Sequence, residues 1–221
     1  MLLSTMNIVD TERIPIDPKT RKEKVQHYLH MMRYEKAIKE LKKFNVKKVL
    51  DVGCGHGHGT NILSKHFDVI GIDKNRKAIS EAKSLYPHIR FVCLAAEKIL
   101  NIEERFDAII CMESIEHFSN PKKFLLNSKR ILKKDSYLFF STPNREIFGN
   151  TNPFHNEFTF NEVRDLIEAC NYKILKYWSR HNKFDFLRHN IIPSLIKDSI
   201  KDFYFTEDSK GYEFLILCKK N

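Results

Sequence analysis

The sequence predicts an α/β fold, a parallel sheet with helices on both faces. Three observations predict it. Short apolar runs alternate with helical patterns along most of the 221 residues. Four of the seven glycines, at 53, 55, 57 and 59, fall directly after the first apolar run. An acid, Asp73, closes the second run 22 residues beyond Asp51.

The elements follow in order. Residues 19–43 predict an amphipathic helix, because Val25, Tyr28, Leu29, Met32, Ile38 and Leu41 recur near a 3.6 period. KKVLDV (47–52) is short and apolar, hence a buried strand, and residues 57–66 read as a helix. DVIGID (68–73) is the second strand, and Asn75 caps a helix over 75–85. IRFVCL (89–94) and FDAIICM (106–112) are the third and fourth strands. Asn120-Pro121 combines an N-cap with proline at the first helical position, and Phe124, Leu125, Ile131 and Leu132 give that helix its apolar face. SYLFFSTP (136–143) is a fifth strand, stopped by Pro143. Thr159 and Glu162 form a capping box before Phe160, Val163, Leu166 and Ile167. Two late strands are expected near 172–178 and 212–218.

A chain of 221 residues suits one domain. Its expected parts are a helical cap (1–46), a binding core (47–144) and an opposite side (145–221) with an insertion at about 180–210. Apolar residues at 42% supply a core, which excludes a wholly disordered chain. No run approaches 18 apolar residues, so no membrane span is expected. The start meets acid at Asp10 and Glu12, unlike a secretory signal. The five cysteines (54, 93, 111, 170, 218) are scattered without a C-x-x-C pair and read as reduced thiols of a cytoplasmic protein.

The net charge is +10, and residues 1–48 hold 12 Lys/Arg against 6 Asp/Glu. That excess suits an anionic partner such as RNA, a phosphorylated substrate or a membrane headgroup. It equally suits a solvated helix face, since the basic residues are interleaved with Glu.

A parallel sheet of this kind binds ligands at the carboxyl ends of its strands. Leu50-Asp51-Val52-Gly53-Cys54-Gly55-His56-Gly57 lies there, where glycine lets backbone pass close to a ligand before a helix starts. The spacing is G-x-G-x-G, so neither the dinucleotide G-x-G-x-x-G nor a phosphate-gripping Gly-Lys-Ser/Thr loop is present. Asp73 can accept hydrogen bonds from two ribose hydroxyls.

With these motifs the sequence resembles the class I S-adenosylmethionine-dependent methyltransferases over roughly residues 27–178. The resemblance implies a Rossmann-like sheet of seven strands, the first five parallel and the last antiparallel. It implies S-adenosylmethionine as cofactor, with Asp51, Gly53, Gly55 and Gly57 around its methionine part and Asp73 on its ribose. Ala95-Ala96-Glu97 match the adenine loop, although Ala95 stands where the family often has Asp, and Met112 joins the cofactor set. The turn before strand 5 is Lys133-Lys134-Asp135-Ser136 rather than the usual K-P-G-G.

A second set of motifs is similar to methyltransferases of surface-glycan and small-molecule synthesis and to the ubiquinone-pathway O-methyltransferases. It comprises His30-x-x-Arg33-Tyr34, Glu113-Ser-Ile-Glu116-His117, Ser141-Thr-Pro143-Asn144-Arg145 and Asn152-Pro-Phe-His155-x-Glu157-Phe158-Thr159. Arg33 lies 20 residues before Gly53, where the ubiquinone-pathway enzymes carry an arginine for the cofactor carboxylate. A guanidinium suits that bidentate task. Glu113, Glu116 and His117 fall where the methyl group should arrive. Glu113 or His117 could act as general base, an imidazole titrating near neutral pH being suited to it. Alternatively Glu113, Glu116, His117 and His155 could ligate Mg²⁺ or Mn²⁺ and lower the pKa of an acceptor hydroxyl. That pattern is similar to the small-RNA 2′-O-methyltransferases, although the run after His155 lacks their tryptophan and arginine. His155 is expected at the site as a wall or substrate contact; His56 and His58 receive no catalytic role. Basic and aromatic residues interleave over 180–210, as in a lid, a dimer surface or a nucleic-acid contact. The expected function is methyl transfer to oxygen on a small molecule. The rivals are a metal-dependent RNA methyltransferase and a non-catalytic cofactor-binding protein.

Overall fold

Thr20 opens the first helix. Its hydroxyl accepts the Glu23 N–H while the Glu23 carboxylate takes the Thr20 N–H, a capping box that starts α1 (Arg21–Leu41). This computed structural model describes residues 17–148, 157–182 and 203–221. The chain continues through β1 (Lys48–Val52), α2 (His58–Ser64), β2 (Asp68–Asp73), α3 (Arg76–Leu85) and β3 (Arg90–Cys93). A 3-10 turn (Ala96–Asn101) leads to β4 (Phe106–Cys111), and a second (Ile115–His117) to α4 (Pro121–Ile131). Next come β5 (Leu132–Pro143), α5 (Arg145–Phe148), α6 (Phe160–Ala169), β6 (Tyr172–Asn182), β7 (Phe203–Thr206) and β8 (Glu213–Lys220).

The three caps predicted from sequence all form. Asn75 accepts from Ala78, Asn120 from Lys123 with proline following, and Thr159 from Glu162 in a capping box. Each depends on residues three apart, so the local chain suffices to specify it.

The sheet order is β3-β2-β1-β4-β5-β8-β6-β7. The first five strands are parallel, and β8 runs antiparallel to β5, as expected. Among the described residues the sheet has eight strands rather than the expected seven. The addition is β7, which pairs antiparallel with a β6 longer than expected, Ser179 opposite Thr206 and Asn182 opposite Phe203. Four residues carry too little alternation to mark an edge strand, and only the distant partner supplies its hydrogen bonds. Strand β5 also begins early. Its register slips between Phe106–Leu132 and Ala108–Tyr137, and in the intervening turn Asp135 takes a φ of +56°.

Strand alternation divides the core. Leu50, Val52, Ile70, Ile72 and Phe140 face α4 and α6 through Phe124, Leu125, Val163 and Ile167. Val49, Val69, Ile110 and Phe139 face α1, α2 and α3 through Tyr34, Leu41, Leu63 and Ile79. Helices therefore cover both faces, and the loops at the carboxyl ends of β1, β2, β4 and β5 share one edge. All five cysteines are free thiols. No helix among the described residues is long and apolar enough to cross a membrane.

Candidate functional site

The loop after β1 needs its glycines for two different reasons. A Cβ on Gly53, at φ +77°, would stand 2.3 Å from Ser114 Oγ, so this corner packs against the segment after β4. Gly55, at φ +53°, has nothing within 4 Å of its Cβ position. Its left-handed conformation therefore presents bare backbone to an open corner. Its N–H donates to Asp73 Oδ2 at 3.0 Å, and the Asn75 N–H donates to Oδ1 at 2.7 Å. The acid ending β2 is thereby fixed beside the glycine loop, as the spacing predicted.

Asp51 occupies a different kind of place. It is fully buried, and its carboxylate accepts from Tyr34 Oη at 3.1 Å and Thr60 Oγ1 at 2.6 Å. It ties α1 and α2 to the base of the loop rather than lining its open face. Burial pushes its pKa up to about 7, with Asp73 adding to the rise and the Thr60 and Tyr34 hydroxyls opposing it.

Arg33 sits one residue before Tyr34 on α1. Its Nε donates to Glu213 Oε1 at 2.9 Å and its Nη2 to Oε2 at 2.5 Å, a bidentate pair. Arg180 Nε approaches the same Oε1 at 3.2 Å from β6, and Glu113 Oε2 lies 3.5 Å from Arg33 Nη2. Burial opposes every charge here. Glu213 and Glu113 outweigh it and hold the Arg33 guanidinium charged, and Arg180 and Arg33 outweigh it for Glu213. The Arg180 guanidinium lies over the rings of Phe203 and Tyr212, at 5.4 and 5.3 Å.

Glu113 has a φ of +46°, a conformation that side-chain-bearing residues rarely adopt. Its N–H donates to Ser141 Oγ at 2.9 Å, and Ser141 Oγ donates back to Oε1 at 2.8 Å. The Glu113 side chain remains 24% exposed, whereas that of Glu116 is 3% exposed. Burial raises the pKa of both, with Arg33 opposing it for Glu113; Glu116 is pushed furthest because the Glu113 charge adds to its burial. His117 Nε2 lies 3.9 Å from Glu116 Oε1, and its side chain is 37% exposed.

The remaining expected residues are placed as follows. Met112 is buried at the end of β4, where its carbonyl accepts from Ser114 Oγ at 2.8 Å. Ala96 is buried at the start of the first 3-10 turn, and Glu97 accepts the Ser119 N–H and hydroxyl at 3.1 and 2.9 Å. Gly57 takes a φ of +81° as the residue before α2. His155 and residues 183–202 lie outside the described residues. Among the described residues no three His, Cys, Asp or Glu side chains gather so as to hold a metal ion. His56 and His58, given no role, contact Glu81 and Tyr86.

Sequence reasoning missed Glu213, Ser141 and Thr60 as site residues. Ser141 stood inside a quoted motif and Arg180 inside the basic-aromatic stretch. Glu213 carried only a weak signal, a carboxylate opening an otherwise apolar strand.

The model of a family described as a methyltransferase domain matches residues 23–201. A ubiquinone biosynthesis O-methyltransferase of Coxiella burnetii is 38% identical over 104 residues, covering 45% of this chain and 44% of the relative. One from Pasteurella multocida is 30% identical over 136 residues, covering 55% and 56%. The chain thus spans about half the length of the curated relatives it matches. Among solved structures, an S-adenosylmethionine-dependent methyltransferase from Clostridium acetobutylicum superposes with TM-score 0.65 at 15% identity, covering 86% of this chain and 92% of that one. The magnesium protoporphyrin IX methyltransferase of Synechocystis, solved with S-adenosylmethionine bound, gives 0.63 at 14% identity, covering 95% and 88%. At these identities the structural likeness speaks for the fold.

Proposed function

The chain belongs to the methyltransferase-domain family, and on that premise we propose that it moves a methyl group from S-adenosylmethionine to a hydroxyl oxygen of a small molecule. The observation that carries the reading is a juxtaposition at one sheet edge. The glycine loop with its open Gly55 corner, bonded to Asp73, packs through Gly53 against Ser114, the residue after Glu113, whose part-exposed carboxylate stands beside Arg33. The names of the curated relatives favour a phenolic or quinol-type acceptor over a sugar.

The residues fit the cofactor. The open backbone at Gly55 lets it approach the loop, while Gly53 and Gly57 pack against Ser114 and Phe91; Asp73 suits the ribose hydroxyls, and Ala96, Glu97 and Met112 would hold the adenosine end. Arg33 keeps guanidinium capacity for the carboxylate beyond the edge held by Glu213. Bound there, S-adenosylmethionine supplies a sulfonium-activated methyl group. The chain then aligns the acceptor and removes its proton. Glu113 is the base: the acceptor O–H proton passes to its carboxylate, whose proton affinity burial raises above that of an ordinary glutamate. A divalent cation held by Glu113, Glu116, His117 and His155 is the alternative reading of the same carboxylate, and the chelator arm of the test decides between them.

The test supplies purified protein with methyl-tritiated S-adenosylmethionine and an extract of its source cells, with and without chelator. Label in a nuclease-resistant small-molecule fraction, unaffected by chelator, is expected. Label in a nuclease-sensitive fraction would make RNA the acceptor and the basic N-terminal segment its binding surface. Binding of S-adenosylhomocysteine without any transfer would leave a cofactor-binding protein.

A further inference from the structure

We infer that Ser141 is a positioning residue for Glu113, holding both the strained backbone and the carboxylate of that residue through one hydroxyl. The inference rests on the proposed role of Glu113 as proton acceptor. Ser141 lies on β5, next to the strand that delivers Glu113, and is fully buried. A hydroxyl has one proton to donate. Here its oxygen accepts the Glu113 N–H, so the proton is directed elsewhere, and Oε1 of the same residue receives it. The main chain and side chain of Glu113 are therefore closed into a small ring across a single atom.

The need for such a device follows from the backbone. A φ of +46° is unfavourable for a residue with a Cβ and persists only where surrounding contacts over-determine it. Ser141 supplies one such contact at the N–H. The proton of the same hydroxyl holds Oε1, so the carboxylate is fixed on two sides, Ser141 on Oε1 and Arg33 near Oε2. Its remaining lone pairs are left for an acceptor hydroxyl. The other charged groups around Glu113 are Glu213 on β8, Arg180 on β6 and Glu116 in the turn after β4. Burial and the two carboxylates favour the protonated form of Glu113, while the arginines and the Ser141 hydrogen bond favour the ionised one. Removing the hydroxyl takes away a donor that only the ionised form uses fully, so the proton affinity of Glu113 must rise.

The test reads that change directly. Protein labelled with carboxyl-¹³C glutamate is titrated by NMR, and the Glu113 resonance is assigned by its loss in Glu113→Gln. In Ser141→Ala the Glu113 midpoint is expected to move up by about one pH unit, tenfold in proton affinity. Ser141→Thr, which restores a hydroxyl, should bring it back. An unmoved midpoint in Ser141→Ala overturns the inference. If the alanine variant does not fold, Ser141→Cys keeps the volume with a weak donor and is read the same way. With the acceptor identified by the labelling assay, Ser141→Ala should lower kcat roughly tenfold and leave S-adenosylhomocysteine affinity within about twofold. Full kcat in Glu113→Gln would sink the base assignment itself. Loss of kcat there with an unchanged rate in Ser141→Ala would sink only the role of Ser141.

Discussion

Tyr34 donates its hydroxyl to Asp51 Oδ1 at 3.1 Å, and both residues are almost wholly removed from solvent. The first helix is thereby keyed to the base of the glycine loop by a polar contact inside an apolar layer. Asp51 holds its proton up to about pH 7 in the fold, against about 3.9 for an unperturbed aspartate. Between those values the folded chain binds a proton that the unfolded chain has released. Raising the pH through this window therefore weakens the fold, and the contribution is fully present only below about pH 4. Asp51→Asn should flatten that part of the stability profile. Urea unfolding of both proteins between pH 4 and 8 measures it, and parallel profiles would refute it.

Gly59 shows how closely that key fits. A Cβ there would stand 2.1 Å from Tyr34 Cζ, and the ring cannot withdraw while its hydroxyl remains on Asp51. Gly59→Ala is expected to cost about 1–3 kcal/mol by overpacking. The shift of the urea midpoint at constant slope reports it.

The Arg33–Glu213–Arg180 cluster predicts a contrast. Glu213→Ala takes the carboxylate from the buried Arg180 and leaves the buried Arg33 only the more distant Glu113, and should cost about 3–5 kcal/mol. The exposed pair Arg164–Asp165, 3.3 Å apart, is held in high dielectric, and Arg164→Ala should change stability by less than about 0.5 kcal/mol. Equal losses in the two variants would contradict the account of the cluster.

Gly55 and Asp73 separate ligand binding from folding. An alanine at 55 meets no neighbour, so its folding cost is the left-handed backbone alone, about 1–2 kcal/mol. Its methyl group projects into the open corner, and S-adenosylhomocysteine affinity should fall more than tenfold. Asp73→Ala should weaken the same ligand by about tenfold or more, through lost charge-assisted hydrogen bonds. Calorimetric titration of both variants checks this. Unchanged affinity in Asp73→Ala would remove that residue from the site.

The parallel core, its caps and the glycine loop were legible because each depends on neighbours in the chain. Asn75, Asn120-Pro121 and Thr159 cap helices three residues on, and the glycines with Asp73 mark the ends of adjacent strands. The edge strand β7 was not legible, since four residues become a strand only by pairing with β6. The carboxylates after β4 could be singled out by sequence, but their partners could not.

Chain-local signals specify an alternating α/β chain with a glycine corner, an acid beside it and a cluster of carboxylates at the sheet's carboxyl edge. Which of these face outward and which are locked within depends on long-range packing. It buried Asp51 between Tyr34 and Thr60, paired Arg33 with Glu213 across 180 residues of chain, and set Ser141 under Glu113. Periodicity and capping act over a few residues, whereas the proton affinity and orientation of a buried charge depend on whatever distant strands the sheet brings against it.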